Sequence, residues 1–289
     1  MSLTSISTIN ADGVKVFYRH AGAESSPAIL LLHGFPSSSH QFRNLIPLLS
    51  KSYRVIAPDF PGFGFTEVPK ERKYEYTFAN IARTIEAFVD ALKLTKFAVY
   101  IFDYGAPVGL RLALRRPELI AAIISQNGNA YEEGLGDSWK PIQKYWASGT
   151  QEDRDTIRPF LTLEGTRSQY VDGSPHPDKI QPEAYFLDQA LLDRPGNKEI
   201  QLDLFYDYRN NVALYTKFHE YFRASAVPVL AVWGKNDGFF IPPGAKAFSR
   251  DVERFEYHLL DASHFALETN EIEILGYIRS FVDKLDLHW

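Results

Sequence analysis

Three side chains suited to nucleophilic and acid–base work follow apolar runs in this sequence, in the order Asp103, Asp237, His264. Asp103 stands directly after residues 97–102, within Ile101-Phe102-Asp103-Tyr104-Gly105. Asp237 follows residues 228–233, within Trp233-Gly234-Lys235-Asn236-Asp237, and His264 follows residues 256–260, within Ser263-His264-Phe265. A fourth segment, His33-Gly34-Phe35-Pro36, follows residues 28–32. In open α/β sheets ligands sit beyond the carboxyl ends of strands, so residues just past each run come first. A carboxylate there suggests a particular chemistry. Serine attacking a saturated carbon would leave an ether that water does not readily cleave, whereas a carboxylate leaves an ester whose carbonyl water can attack. With an ordinary pKa of about 3.9, Asp103 needs no base to ionise it. A base is needed for the second step, the activation of water.

The elements that would position these groups can be read from periodicity. Residues 14–18, 28–32, 54–57, 97–102 and 119–125 read as strands, the second and fourth as continuous apolar runs of the kind covered on both faces. Residues 40–49, 77–92 and 107–114 have helical spacing between them. Alternating strands and helices indicate an α/β layer fold. The pattern stops over residues 129–226, which read as short helical pieces rich in Tyr and Phe with no continuous strand. It resumes with strands at 228–233 and 256–260 and a helix over 270–285. A sheet interrupted and resumed implies a cap excursion within one domain.

Composition narrows the function. The 289 residues carry 31 Lys and Arg against 36 Asp and Glu, a net charge of −5, with 45% apolar and 14% aromatic residues. That is enough apolar surface for a large core and excludes a disordered chain. No cluster of basic residues is present to neutralise phosphates, so nucleic acid is not an expected partner. No stretch approaches the roughly 18 apolar residues of a membrane span, and residues 1–13 lack the features of a secretory signal. The absence of cysteine fits a cytoplasmic location. No cofactor or metal is expected: Gly62-Phe63-Gly64 lacks the third glycine of a dinucleotide loop, and His219-Glu220 lacks a second histidine for zinc. Aromatics near Trp289 are a candidate surface contact.

Together with Asp59-Phe60-Pro61-Gly62-Phe63-Gly64, the four segments quoted above resemble the α/β-hydrolase family, specifically its aspartate-nucleophile branch of epoxide hydrolases and haloalkane dehalogenases. The likeness covers nearly the whole chain and is weakest over 129–226. It implies the α/β-hydrolase fold: a mostly parallel central sheet flanked by helices, with core segments 1–128 and 227–289 and a helical cap, 129–226, inserted between them. It also implies roles. Asp103 would be the nucleophile, His264 the general base, and Asp237 the acid that orients His264. Backbone N–H groups of Phe35 and Tyr104 would form the oxyanion hole, and His33 would hold that loop. One position departs from the small-x-nucleophile-x-small pattern, because Ile101 replaces its first small residue. Some dehalogenases carry the acid after an earlier strand, where this chain has Asn127, which cannot carry the charge.

The leaving group divides the branch. An epoxide opens to an alkoxide that needs a proton, and a phenol, with a pKa of about 10, can supply one. The segment Tyr206-Asp207-Tyr208-Arg209-Asn210 resembles the late-cap Tyr-Arg-Asn motif of epoxide hydrolases, which gives Tyr208 that role; Tyr145 is a second cap candidate. Many of the 16 tyrosines must simply line helix interfaces. A halide instead needs N–H donors. Here Tyr104 stands where dehalogenases commonly have Trp and Phe35 where several have Asn, though Trp139 or Trp146 could contribute. The resemblance therefore implies an epoxide hydrolase giving a vicinal diol, with haloalkane dehalogenase second and a non-catalytic small-ligand receptor as the alternative of another class. The expected partners are water and a small, largely apolar substrate.

Overall fold

The computed structural model describes residues 3–285; Trp289 and the contact expected near it lie outside the described residues. Strands β3 (Ala28–Leu32) and β5 (Phe97–Phe102) are buried at every position. Leu30, Leu32, Val99 and Ile101 enter the core on one face of the sheet, and Ile29, Leu31, Tyr100 and Phe102 enter it on the other. Cover on both faces is why these strands show no polar alternation. Strands β4 (Arg54–Pro58), β6 (Ile120–Gln126), β7 (Val229–Gly234) and β8 (Phe255–Leu260) run parallel with them. The sheet order is β1-β2-β4-β3-β5-β6-β7-β8, with β2 (Val14–Ala21) antiparallel to both β4 and β1 (Ser5–Ala11).

Strand β1 is not among the strands expected from sequence. Its residues, SISTINA, are mostly exposed or half-buried, so it lacks a strong apolar signal. A tight hairpin makes it: Asp12 and Gly13 both take positive φ, 52° and 70°, and this Asp-Gly pair is the signal that the sequence reading passes over. The helix expected over 40–49 is instead a 3-10 turn, Ser39–Phe42, followed by α1 (Leu45–Leu49). The Ser39 amide donates to the buried Asp59 carboxylate at 2.7 Å, which ties the turn to the loop after β4. Helix α2 (Phe78–Ala91) is capped by Thr77, whose hydroxyl accepts from the Asn80 amide, and buries Phe78, Ile81, Ala82, Ile85, Phe88 and Val89 along one face. Helix α3 (Gly105–Arg115) follows β5 directly.

No strand forms within residues 129–226. The segment contains α4 (Lys140–Ser148), α5 (Gln151–Asp155), α6 (Leu163–Val171), α7 (Pro182–Leu192), α8 (Asn197–Asp207), α9 (Arg209–Val212) and α10 (Tyr215–Ser225). Its helices are fastened to the sheet domain through backbone groups. Asp207 accepts from the Phe78 amide at 2.8 Å, Gln201 donates to the Gly62 carbonyl at 3.1 Å, and Arg194 donates to the Gly64 carbonyl at 2.7 Å. After β7 come α11 (Pro242–Ala247), β8 and α12 (Leu267–Lys284), the last starting three residues before the expected 270. Among the described residues no helix is long and apolar enough to cross a membrane.

Candidate active site

Only Asp103 and Tyr104 separate β5 from α3, so the chain reverses direction over two residues. Asp103 takes φ of 47°, a conformation that costs a non-glycine residue on the order of 1–2 kcal/mol. The reversal brings neighbours very close. A Cβ on Gly34 would lie 2.3 Å from Asp103 Oδ1, and one on Gly105 would lie 2.2 Å from the Leu32 carbonyl oxygen. Ile101 is accommodated by a compensating vacancy: a Cβ at Gly109 would lie 2.6 Å from Ile101 Cγ2. The small residue missing from the strand is supplied by the helix packed on it.

The two oxygens of Asp103 have different surroundings. Oδ1 accepts from the Phe35 amide at 2.6 Å, while Oδ2 lies 3.9 Å from His264 Nε2, beyond hydrogen-bond reach. Burial pushes the Asp103 carboxyl up to about 6, against the pull of His264 and of the Phe35 and Tyr104 amides. The loop carrying Phe35 is braced by His33, which is fully buried. His33 Nε2 accepts from the Phe60 amide at 3.0 Å, so its proton is on Nδ1, which donates to the Gly34 carbonyl at 3.1 Å. Burial lowers the His33 pKa to about 3 and keeps the ring neutral.

His264 Nδ1 donates to Asp237 Oδ2 at 2.7 Å. The same oxygen accepts from Asn127 Nδ2 at 2.7 Å, and Oδ1 accepts from the amides of Phe239 and Phe240 at 2.7 and 3.1 Å. Asn127, at the end of β6 with φ of 48°, also accepts from the Gly234 amide at 3.0 Å. It therefore ties the carboxylate to both β6 and β7. Sequence reasoning treated Asn127 only as a position unable to carry charge; its polar side chain just past a buried strand was the available signal. Burial works against a charged His264, but the Asp237 charge and hydrogen bond, with the Asp103 charge, outweigh it and raise its pKa.

Aromatic rings close over these groups. Tyr104 packs against Phe35, Phe63, Phe78, Phe205 and Tyr208, with ring centroids 4.8–6.3 Å apart. Phe240 lies 6.0 Å from His264 and 6.4 Å from Tyr208, which joins His264 to the same cage. Tyr208 is fully buried, and its hydroxyl lies beside that of Tyr215 without a well-aligned hydrogen bond. Burial raises its pKa well above the usual phenol value, and Tyr215 and Asp103 add to the shift. Trp139 lies 4.3 Å from the Tyr208 ring and its Nε1 is also buried without a partner, whereas Trp146 donates to the Phe205 carbonyl at 2.7 Å. Tyr145 is placed differently. Its ring packs on Tyr206 at 4.7 Å and its hydroxyl accepts from Arg154 at 3.0 Å, within a network to Asp203 and Glu199. No described ring or hydrogen-bond contact joins it to Asp103 or His264. Among the described residues, no group of three or more His, Cys, Asp or Glu side chains could hold a metal.

Comparison with known proteins gives one family and a spread of chemistries. Residues 27–271 match the family model described as the alpha/beta hydrolase fold. An uncharacterized hydrolase of Saccharomyces cerevisiae is 50% identical, with 93% of each chain covered. Epoxide hydrolase 3 of Siraitia grosvenorii is 26% identical, covering 96% of this chain and 98% of its own. The crystal structure of a haloalkane dehalogenase from Bradyrhizobium elkani superposes with a TM-score of 0.78 at 20% identity, covering 98% of this chain and 99% of that one.

Proposed function

This chain is a hydrolase of the α/β-hydrolase fold family, and from that premise we propose that it opens small, largely apolar epoxides to vicinal diols through an ester on Asp103. In the first step Asp103 Oδ2 attacks a ring carbon, the carbon–oxygen bond breaks, and Tyr208 gives its proton to the departing oxygen. Oδ1, anchored on the Phe35 amide, becomes the ester carbonyl. In the second step His264 Nε2 takes a proton from water as water adds to that carbonyl, and the oxyanion forms on Oδ1 beside the Phe35 and Tyr104 amides. On collapse the ester carbon–oxygen bond breaks and His264 gives its proton to the departing alkoxide, which completes the diol. The second water proton leaves the re-formed carboxyl to return Tyr208 to its neutral form, which regenerates the Asp103 carboxylate. The first step also prepares the second. The Asp103 charge that helps raise the His264 pKa vanishes on esterification, so the imidazole becomes neutral more readily when a base is needed.

The observation that carries this reading is Tyr208: a buried phenol held protonated, with Tyr215 beside its hydroxyl, in the cage that closes over Asp103 and His264. The similarity to the epoxide hydrolase of Siraitia grosvenorii supports it. Dehalogenation is the second reading, favoured by the free Trp139 N–H, which with the Tyr208 hydroxyl offers two donors to a departing halide. The test is intact-protein mass spectrometry of His264→Gln with epoxides and haloalkanes. Epoxides are expected to leave a stable adduct on Asp103 equal to the whole epoxide mass, with turnover at least 100-fold below wild type. Adducts from haloalkanes alone would favour the second reading, and none from either would return the chain to a ligand receptor.

A further inference from the structure

His264 sits in the connection between β8 and α12, outside regular secondary structure. From the sheet side, Gln126 donates to its carbonyl at 3.1 Å. From the other side a single cap residue, Tyr170 on α6, engages both of its chain neighbours. Ser263 Oγ donates to the Tyr170 carbonyl at 3.2 Å, and the Tyr170 ring stacks on Phe265 at 3.8 Å with an interplanar angle of 11°. Phe265 in turn stands edge-on to the His264 ring at 5.3 Å, and Phe102 packs on both.

The Tyr170 ring is itself held. Its hydroxyl donates at 2.5 Å to Oδ2 of Asp188, a fully buried carboxyl on α7. A buried acid is an expensive way to fill space, since apolar residues of similar volume commonly pack at less cost. What it adds is direction: it pins the phenol oxygen and so sets the tilt of the ring's long axis, while the stack on Phe265 sets its rotation about that axis. Burial pushes Asp188 up to about 7, and the Tyr170 hydroxyl draws it back down.

We infer that Tyr170 is a positioning residue for His264, clamping residues 263–265 so that the imidazole keeps its bond to Asp237 and faces the ester on Asp103; the inference rests on the reaction proposed above. Only the second step uses His264 as a base, so loosening the clamp should slow ester hydrolysis and spare alkylation. The Asp188 hydrogen bond should matter less than the stack, because removing the hydroxyl leaves the ring in place.

The test compares wild type with Tyr170→Phe, Tyr170→Leu and Asp188→Asn in two measurements. The first is proton NMR of His264 Nδ1–H without substrate. The low-field signal of the proton shared with Asp237 should persist in wild type and Tyr170→Phe, and be broadened by solvent exchange in Tyr170→Leu. The second is single-turnover kinetics with an epoxide. Tyr170→Leu should cut hydrolysis of the ester at least tenfold with alkylation within twofold, Asp188→Asn should cut it about threefold, and Tyr170→Phe should restore most of it. Unchanged spectra and hydrolysis in the Leu variant, or equal loss of both steps, would overturn the clamp. If the Leu variant does not fold, an unaltered Asp188→Asn would do so. Failure of wild type to form any adduct would sink the reaction while leaving the NMR comparison to judge Tyr170.

Discussion

In the sheet half of the molecule, the Asp103 and Asp237 carboxylates are held by backbone amides; in the cap half, the groups nearest them are held by ring packing. Asp103 is set by the β5–α3 reversal and the Phe35 amide, and Asp237 by two amides and Asn127. Tyr208 and Trp139 are set mainly by ring packing, the Trp139 N–H buried without a partner and the Tyr208 hydroxyl beside that of Tyr215. An unsatisfied buried donor costs on the order of 1–3 kcal/mol, and under the proposed reaction the departing group would supply Trp139 or Tyr208 with a partner. In that reaction the sheet would hold the attacking group and its base, and the cap would meet the leaving oxygen.

The largest effect should follow from removing the proposed nucleophile. Asp103→Asn is expected to lower turnover at least 1,000-fold and abolish the adduct. It should also stabilise the fold at pH 7.5. A carboxyl pushed from 3.8 up to about 6 by burial opposes folding once ionised, so its stability contribution is regained as pH falls from about 6 toward 4. The bound on that gain is about 3 kcal/mol, readable by thermal melts of variant and wild type. A lower melting temperature in the variant would refute burial as the cause.

Next comes the cap. Tyr208→Phe should cut kcat/KM for epoxides roughly 100-fold and for haloalkanes only a few fold, because Trp139 remains for a halide. Equal losses on both substrates would erase the division between sheet and cap. A smaller effect is set by pH: kcat/KM should fall tenfold per unit below about pH 6, where Asp103 takes up its proton. A flat profile down to pH 5 would contradict the raised carboxyl. Smallest of all, Tyr145→Phe should stay within threefold in initial rates, since its hydroxyl serves Arg154.

What the sequence disclosed follows the same division. Strands buried on both faces leave continuous apolar runs, and strand ends place Asp103, Asp237 and His264 at readable positions, so the sheet and the candidate triad were legible. Strand β1 was not, because an exposed edge needs no apolar pattern. Nor was the part played by Asn127, whose bonds reach 107 and 110 residues along the chain. The cap was the hardest to read. Whether Tyr145, Tyr170 or Tyr208 faces the cage depends on how short helices pack, and a tyrosine carries the same local signal in each place.

The cap leaves the sheet after β6 and rejoins it at β7, two neighbouring parallel strands. Any such pair demands a long crossover to carry the chain back to the far edge of the sheet. A detour made there adds little entropic burden, since doubling a flexible loop costs only about 0.6 kcal/mol. The excursion can therefore be lengthened, trimmed or exchanged without moving the strand ends that carry Asp103, Asp237 and His264.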